Sequence, residues 1–585
     1  MSDLKQWLPL SKKELEIRGW QELDVVLITG DAYIDHPSFG TAIIGRIIEK
    51  EGFKVGIIAQ PNWRDDLRDF KKFGCPRLFF GINSGSMDSM VNHYTAAKRL
   101  RSTDAYTAGN VSGFRPDYAV SVYTKIVRNL YPDSLIIIGG IEASLRRLTH
   151  YDYWSDTLMP SILETCPADL LSYGMGEQSI KAILNIFREH PNAKATDFYH
   201  LPQIAYLDKS RKVQKNDDTI FLHSFSICKQ SKTSFAHNFK LIEIESNKQI
   251  SKRLVEPSIS GDIVVNPPYP PINQQDLDAI YDLPFTRLPH PRYAKRGEIP
   301  AFIMIQNSVN IHRGCFGGCS FCTISAHQGK TICSRSEQSI INEVKKITQM
   351  PYFKGYISDL GGPSANMYQM KGIDEHICKT CSRASCIFPN KCKNLNFNHN
   401  PLLNLYHKVE KIDKIKKITI GSGIRYDLLL CNNKTLNKNY AIDQYCEELI
   451  VKHVSGRLKV APEHTENYIL DLIRKPSFDN FLQFKQRFDQ INKKYNLNQQ
   501  LIPYFISSHP GCTFNDMQAL SKQMKNIGFR LEQVQDFTPT PMTLSSTIYY
   551  SGIDPYSGKK IFCERDIQKK KRQNMQFFNY KSNKY

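Results

Sequence analysis

The chain has 585 residues, a formal net charge of +20 and 41% hydrophobic side chains, enough apolar material for about three or four globular domains. Its most apolar runs, such as Leu135 to Ile141, fall far short of the ~20 residues that cross a bilayer. The start, Met1-Ser2-Asp3-Leu4-Lys5, has no apolar leader core, so a cytoplasmic protein without a membrane partner is expected.

The basic residues are dispersed, with one dense run at Gln568-Lys569-Lys570-Lys571-Arg572. That distribution reads as a solvated surface ahead of a nucleic-acid face. Seven of the fifteen cysteines fall in two tight groups, Cys315 to Cys322 and Cys378 to Cys392. This is a pattern of metal ligation in a reducing compartment, unlike the scattered framework of a disulfide-linked protein.

From about Glu22 the chain alternates apolar runs and helical patterns. Asp24 to Thr29 reads as a buried strand, Thr41 to Glu51 as a helix stopped by Gly52, and Lys54 to Ala59 as a second strand. Further strands are expected at Arg77 to Gly81, Leu135 to Gly140 and Leu170 to Gly174. Helices are expected around Tyr118 to Tyr131 and at Glu177 to Glu189. Repeated βαβ units need a parallel sheet, so residues 1–205 are expected to form a doubly wound α/β domain. Such sheets bind ligands beyond the carboxyl ends of their strands. Here those ends are Gly30 to Pro37, Gly81 to Ser86 and Gly139 to Ser144, which also have the composition of plain turns. The domain resembles the cobalamin-binding type that precedes many radical S-adenosylmethionine (SAM) barrels. Its Asp35 and His36 are adjacent, however, and do not match the D-x-H-x-x-G lower-ligand pattern. Cobalamin is therefore not expected, and His36 reads as a loop residue or substrate contact.

Residues 206–297 turn polar and then Pro-rich, at Asn266 to Pro271, Leu283 to Phe285 and Pro289 to Tyr293. Proline at this density favours an extended connecting strap. His290 is a contact residue at most.

Cys315-Phe316-Gly317-Gly318-Cys319-Ser320-Phe321-Cys322 has C-x3-C-x2-C spacing between an expected strand, Phe302 to Ile311, and an expected helix, Glu337 to Met350. Glycines let three sulfurs converge on one point. Three thiolates suit an iron–sulfur cluster with one iron lacking a protein ligand, since clusters usually take four cysteines. A zinc knuckle or three buried thiols are the alternatives. The motif resembles that of the radical SAM enzymes. The resemblance implies that Cys315, Cys319 and Cys322 hold a 4Fe-4S cluster whose open iron chelates SAM. In that family the cluster passes one electron to the sulfonium, giving methionine and a 5′-deoxyadenosyl radical.

From 298 to 550, strands are expected at Phe302 to Ile311, Gly355 to Leu360, Ile415 to Ile420, Arg457 to Val460, Leu501 to Ser507 and Leu531 to Phe537. Helices such as Pro401 to Lys411, Ile442 to His453, Phe478 to Lys494 and Asn515 to Ile527 lie between them. Six β/α repeats predict a partial parallel barrel with its site at the carboxyl ends of the strands. The radical SAM core is a barrel of this kind.

Candidate SAM contacts follow at those ends. Gly361 and Gly362 resemble the family's Gly-Gly-Glu segment, with Pro363 replacing Glu; an ordinary turn is the alternative. Ser422 and Arg425 suit ribose or carboxylate. Glu463 suits the ribose hydroxyls and His464 the substrate, unless either is a helix cap. Gly511 lies in a partial match to the adenine-pocket segment G-x-P-G-x-T. Pro539 to Thr543 would flank the adenine or seal the barrel. No catalytic side chain is singled out.

Cys378, Cys381, Cys386 and Cys392 form a C-x2-C-x4-C-x5-C insert after the second strand. It could hold structural zinc, an auxiliary iron–sulfur cluster or four free thiols.

Several segments together resemble the YgiQ-type (UPF0313) radical SAM proteins over about residues 20–550. They are Asp31 to Gly40, Asn310 to Gly314, His327 to Lys330, the insert, and Gly421 to Leu428. Residues 551–585 read as a truncated or disordered basic tail. The implied function is SAM cleavage and hydrogen abstraction from an unidentified substrate, with an external electron donor such as flavodoxin or ferredoxin. Methylthiolation or methylation of RNA or protein is a rival. A non-catalytic, metal-clipped RNA-binding protein is another.

Overall fold

A computed structural model describes residues 4–529 and 534–576. The chain divides into two compact units. The first comprises Met1–Glu245, Gln249–Ile272 and Ala279–Gln306. The second comprises Ser246–Lys248, Asn273–Asp278 and Asn307–Tyr585.

The first unit is built on a nine-stranded sheet among its described residues. Val25–Thr29 pairs in parallel with Val55–Ala59 on one side and Phe79–Asn83 on the other. The sheet continues in parallel through Leu135–Gly139 and Leu170–Ser172. All five residues of Val25–Thr29 and of Val55–Ala59 are buried, as near-continuous apolar runs require when helices cover both faces. The doubly wound arrangement expected from the sequence is therefore present.

The connecting segment does more than expected. Ile204–Asp208 adds antiparallel to Leu170–Ser172, and Asp262–Val265, Arg253–Pro257 and Thr219–Phe221 follow outward. Residues 206–297 are thus not a bare strap: they complete the sheet and include the helix Lys232–Ser246. Short strands in polar sequence carry little periodic signal, so the prolines dominated the reading. The strap is real further on. Leu288–Pro289 pairs with Ile34–Asp35, and the His290 amide donates to the Tyr33 carbonyl at 3.1 Å.

The second unit alternates strand and helix. Among the described residues its barrel strands are Ser308–Asn310, a broken second strand (Tyr356–Ile357 and Asp359–Gly361), Lys417–Ile418, Arg457–Glu463, Gln500–Ser507 and Val534–Asp536. Each recorded pairing among them is parallel. Helices Glu337–Ile347, Asn400–Glu410, Ile442–Glu448, Phe478–Lys494 and Phe514–Asn526 separate them. Six parallel strands with intervening helices give the partial (β/α)6 barrel. The first part of the expected last strand, from Leu531, lies outside the described residues; its end is Val534–Asp536.

Two expectations need correction. Phe302 to Ile311 is not one strand: Pro300–Ile305 is a helix with Pro at its start, and only Ser308–Asn310 is extended. Proline's fixed φ and missing N–H suit the first helical position. The described part of the C-terminal segment is not disordered. Ile567–Met575 is a helix capped by Asp566, with Lys570 and Gln573 buried. The Gln573 side chain accepts from the Ser508 amide at 3.1 Å.

Candidate cluster and cofactor site

The cysteine loop leaves the first barrel strand through a short hairpin. His312–Arg313 pairs antiparallel with Cys333–Ser334, which closes the intervening residues into a loop. Inside it the Cys315 amide donates to Gly329 O at 3.2 Å and the Cys322 amide to Cys319 O at 3.1 Å. Gln328 Oε1 accepts from the Gly314 amide at 3.2 Å. Gly314 has φ +84°, and a Cβ there would sit 2.0 Å from Thr331 O, so the turn needs glycine.

The loop is tied to the far side of the barrel. The Ser320 amide donates to Ile473 O at 3.0 Å. Ser320 Oγ meets Ser545 Oγ at 2.7 Å, and Ser545 Oγ meets His509 Nε2 at 2.7 Å. Residues that follow strands four, five and six (Ile473, His509 and Ser545) thus fix the loop that follows strand one.

All three thiols are partly buried. Burial pushes the Cys322 thiol up to about 12 and raises that of Cys315. As bare thiols these two hold their protons at neutral pH, and ligation must displace them.

Two cations face this set. Arg425 Nη1 lies 3.6 Å from Cys319 Sγ, while its Nε and Nη2 are held by Asp427 at 2.9 and 2.8 Å. Burial alone would raise the Asp427 carboxyl, but the Arg425 guanidinium holds it below the usual carboxylate range. Lys475, also buried, bonds Glu463 Oε1 at 3.2 Å and Ala461 O at 3.0 Å. Burial would lower the Lys475 ammonium, yet the adjacent Cys319 and Glu463 raise it. Cations beside sulfur suit anionic thiolates, so the donor set fits an iron–sulfur cluster.

The other candidate residues occupy strand ends. Asp359 Oδ1 accepts from the amides of Gly421 and Ser422 at 2.9 and 3.1 Å, and Ser422 Oγ donates to Asp359 Oδ2. A Cβ on Gly361 would lie 2.9 Å from Ser422 Oγ, and one on Gly362 would lie 2.5 Å from the His312 ring. His312 is fully buried with neither ring nitrogen bonded, and burial drops it to about 3. These orphaned polar atoms beside Gly362 are groups that a bound cofactor would satisfy. Glu463 ends the fourth strand at φ +69°, an uncommon conformation for a side-chain-bearing residue. The fourth strand also shifts register against the fifth between Val460 and Glu463. Gly511, at φ +89°, donates to Phe562 O at 2.7 Å and accepts from Tyr468 Oη at 3.2 Å. Those contacts tie the loop after strand five to the helix Asn467–Ile473 and to the C-terminal segment at Phe562, and among the described residues they do not reach the cysteines. His464 is buried, and its Nδ1 accepts from the Glu466 amide at 3.0 Å.

A family model described as Radical SAM N-terminal matches residues 7–308. A UPF0313 protein of Bacteroides thetaiotaomicron is 57% identical over 99% of this chain and 94% of its own length. The chain belongs to the UPF0313 family of radical SAM proteins. A UPF0313 protein of Porphyromonas gingivalis is 56% identical, covering 99% of this chain and 91% of its own. Among solved structures, the radical SAM methyltransferase TsrM from Kitasatospora setae is similar at TM-score 0.45 and 12% identity, over 89% of this chain and 75% of that one.

In this UPF0313 chain the four-cysteine insert abuts the cluster loop. Lys371–Gly372 and Leu395–Asn396 close it as a small antiparallel pair. The Cys386 amide donates to Phe316 O at 3.0 Å, and a Cβ on Gly318 would meet Ala384 O at 2.2 Å. Lys330 Nζ donates to Cys381 O and Arg383 O at 3.2 and 2.7 Å and lies 3.8 Å from Cys381 Sγ. Burial pushes the Cys386 thiol up to about 11. The segment His327 to Lys330 thus braces both cysteine groups.

Sequence reasoning did not single out Lys475, Asp359, His312 or Ser545. A lysine between Ile473 and Pro476 was the one available signal. In the first unit, Asp35 is held by Arg46, Tyr33 and the Thr286 amide. The buried His36 accepts from the Ser38 amide at 3.1 Å. His290 Nε2 lies 3.2 Å from Glu14, an internal tie.

Proposed function

We propose that this chain cleaves SAM reductively, with Cys315, Cys319 and Cys322 holding a 4Fe-4S cluster that leaves one iron to the cofactor. The observation that carries this reading is the pair of buried cations, Arg425 and Lys475, set against Cys319. When bound, the cluster supplies the electron that breaks a C–S bond of SAM and yields a 5′-deoxyadenosyl radical able to take hydrogen from a substrate.

The chain's own residues position and shield. Asp427 fixes Arg425 so that Nη1 points at Cys319. Gly361 and Gly362 keep side chains away from the second strand end, with His312 behind them. Ser422, Glu463 and Gly511 complete the cofactor contacts in this reading, with Ser422 exchanging its bond to Asp359. The insert's four thiols hold a second metal group, as a zinc clip or an auxiliary cluster bracing Phe316. A small acidic one-electron carrier, such as a flavodoxin or ferredoxin, is the reductant that the net charge of +20 favours.

The test is the electron paramagnetic resonance spectrum of the anaerobically reconstituted, reduced full chain. Adding SAM shifts the cluster signal in the wild type, and Cys319→Ala abolishes that SAM-responsive signal. A fully reconstituted wild type whose spectrum ignores SAM overturns the proposal.

A further inference from the structure

On the helical side of the barrel, outside the site described above, a buried imidazole faces two carboxylates. His453 is fully buried. Its Nδ1 lies 3.1 Å from Ile418 O. A carbonyl only accepts, so Nδ1 carries the proton and the neutral ring has its lone pair on Nε2. Nε2 is buried and has no hydrogen-bond partner. It faces Glu410 Oε1 at 3.9 Å and Glu448 Oε1 at 3.8 Å, both beyond hydrogen-bond range. A lone pair aimed at two carboxylates is repulsive unless a cation lies between them or the ring takes a second proton.

The backbone builds this arrangement. Positions five apart on an α-helix point about 140° apart. Here Ile442–Glu448 runs directly into a π-helical turn, Leu449–His453, whose i→i+5 bonding brings Glu448 and His453 onto one face. The helix Asn400–Glu410 supplies Glu410 and, one turn earlier, His407. His407 Nε2 lies 2.7 Å from Glu448 Oε1.

We propose that His453, Glu448 and Glu410, with His407 at the rim, form a binding site for one divalent transition-metal ion. The ligand atoms of the first three lie within 4.8 Å of one another. Ligands ~2 Å from a shared ion stand roughly 3–3.5 Å apart, so the gaps close with side-chain adjustments of less than about 1 Å. Two carboxylates balance a divalent charge, and mixed imidazole and carboxylate donors suit manganese, iron or zinc. The carbonyl behind Nδ1 is the outer partner that orients a metal-binding histidine. Exposure rises from 0% at His453 through 11% at Glu448 and 32% at Glu410 to 39% at His407, which provides an entry path. Lys452 Nζ sits 3.5 Å from Glu410 and 3.4 Å from Glu448 and is the cation that the metal displaces. The bound ion would join the helix after the second strand to the turn before the fourth. It would do so at the point where the Ile420 amide donates to His453 O at 3.0 Å.

The experiment is a Mn²⁺ titration of the reconstituted full chain, with free Mn²⁺ read by electron paramagnetic resonance. Thiolate sites bind this hard ion poorly, so the cysteine groups do not compete. The wild type takes up one equivalent with nitrogen hyperfine coupling. His453→Phe and Glu448→Gln each weaken binding at least tenfold at unchanged iron content. Lys452→Met tightens it several-fold, a gain that a misfolded variant cannot mimic. Equal uptake by wild type and His453→Phe, or no uptake by either wild type or Lys452→Met, overturns the proposal.

Discussion

Replacing Gly318 by alanine tests whether the cluster loop depends on the insert beside it. Gly318 has φ +63°, and a Cβ there meets Ala384 O at 2.2 Å, Ala384 C at 2.7 Å and Ser385 Cβ at 2.8 Å. Two of these neighbours are backbone atoms, so no rotamer change relieves the overlap. The left-handed conformation costs a side-chain-bearing residue about 1–2 kcal/mol, and overpacking adds about 1–3 kcal/mol. The loop conformation that abuts the insert should therefore lose about 2–5 kcal/mol, roughly twenty-fivefold or more in population. Gly329→Ala is the control: it has φ +90° but nothing within 4 Å of the new Cβ, so it carries the strain without the clash. The assay is iron and sulfide per chain, with visible charge-transfer absorbance, after anaerobic reconstitution. Gly318→Ala should hold far less cluster than Gly329→Ala. Equal incorporation by the two variants would refute the reasoning that insert and loop are packed as one body.

Asp427→Asn removes the counter-charge of buried Arg425; leaving a buried charge uncompensated costs about 3–5 kcal/mol. Urea unfolding should show that loss together with reduced iron content, and wild-type values in both would contradict the assigned role. Acid should destabilise the chain through His399 and His509, each dropped to about 3 by burial. Their folded pKa values lie below the ordinary ~6.5, so stability is complete above that pH and is lost as pH falls towards 3. Each costs about 2 kcal/mol by pH 5. Urea titrations at pH 7.5 and 5 measure it, and a flat profile would contradict the burial of neutral rings.

Much of the barrel was legible because its helices carry strong patterns. Phe478–Lys494 buries Phe478, Phe481, Phe484, Phe488 and Ile491, spaced for one helical face. Leu135 to Ile138 announced its strand equally well. The apolar stretch Phe302 to Ile305 misled because a short apolar run does not distinguish strand from helix; Pro300 was the available cue.

At the site, the cysteine spacing and the Gly-Gly bend could be read locally. Partnerships could not. Arg425 stood out as a residue type, but its approach to Cys319 depends on Asp427 and Asn366 holding it. Lys475 reaches the cysteines only because the fourth strand and the following helix return it there. The contact between the insert and Phe316 is set by tertiary packing, which no local pattern encodes. The metal-binding proposal at His453 likewise rests on a π turn that the sequence reading took as part of one long helix.

The most direct test of the account is 5′-deoxyadenosine production by the reconstituted, dithionite-reduced chain with SAM, beside Cys319→Ala. The account predicts deoxyadenosine from the wild type and none from the variant. No product from a wild type carrying its full cluster, or equal product from both, would contradict it.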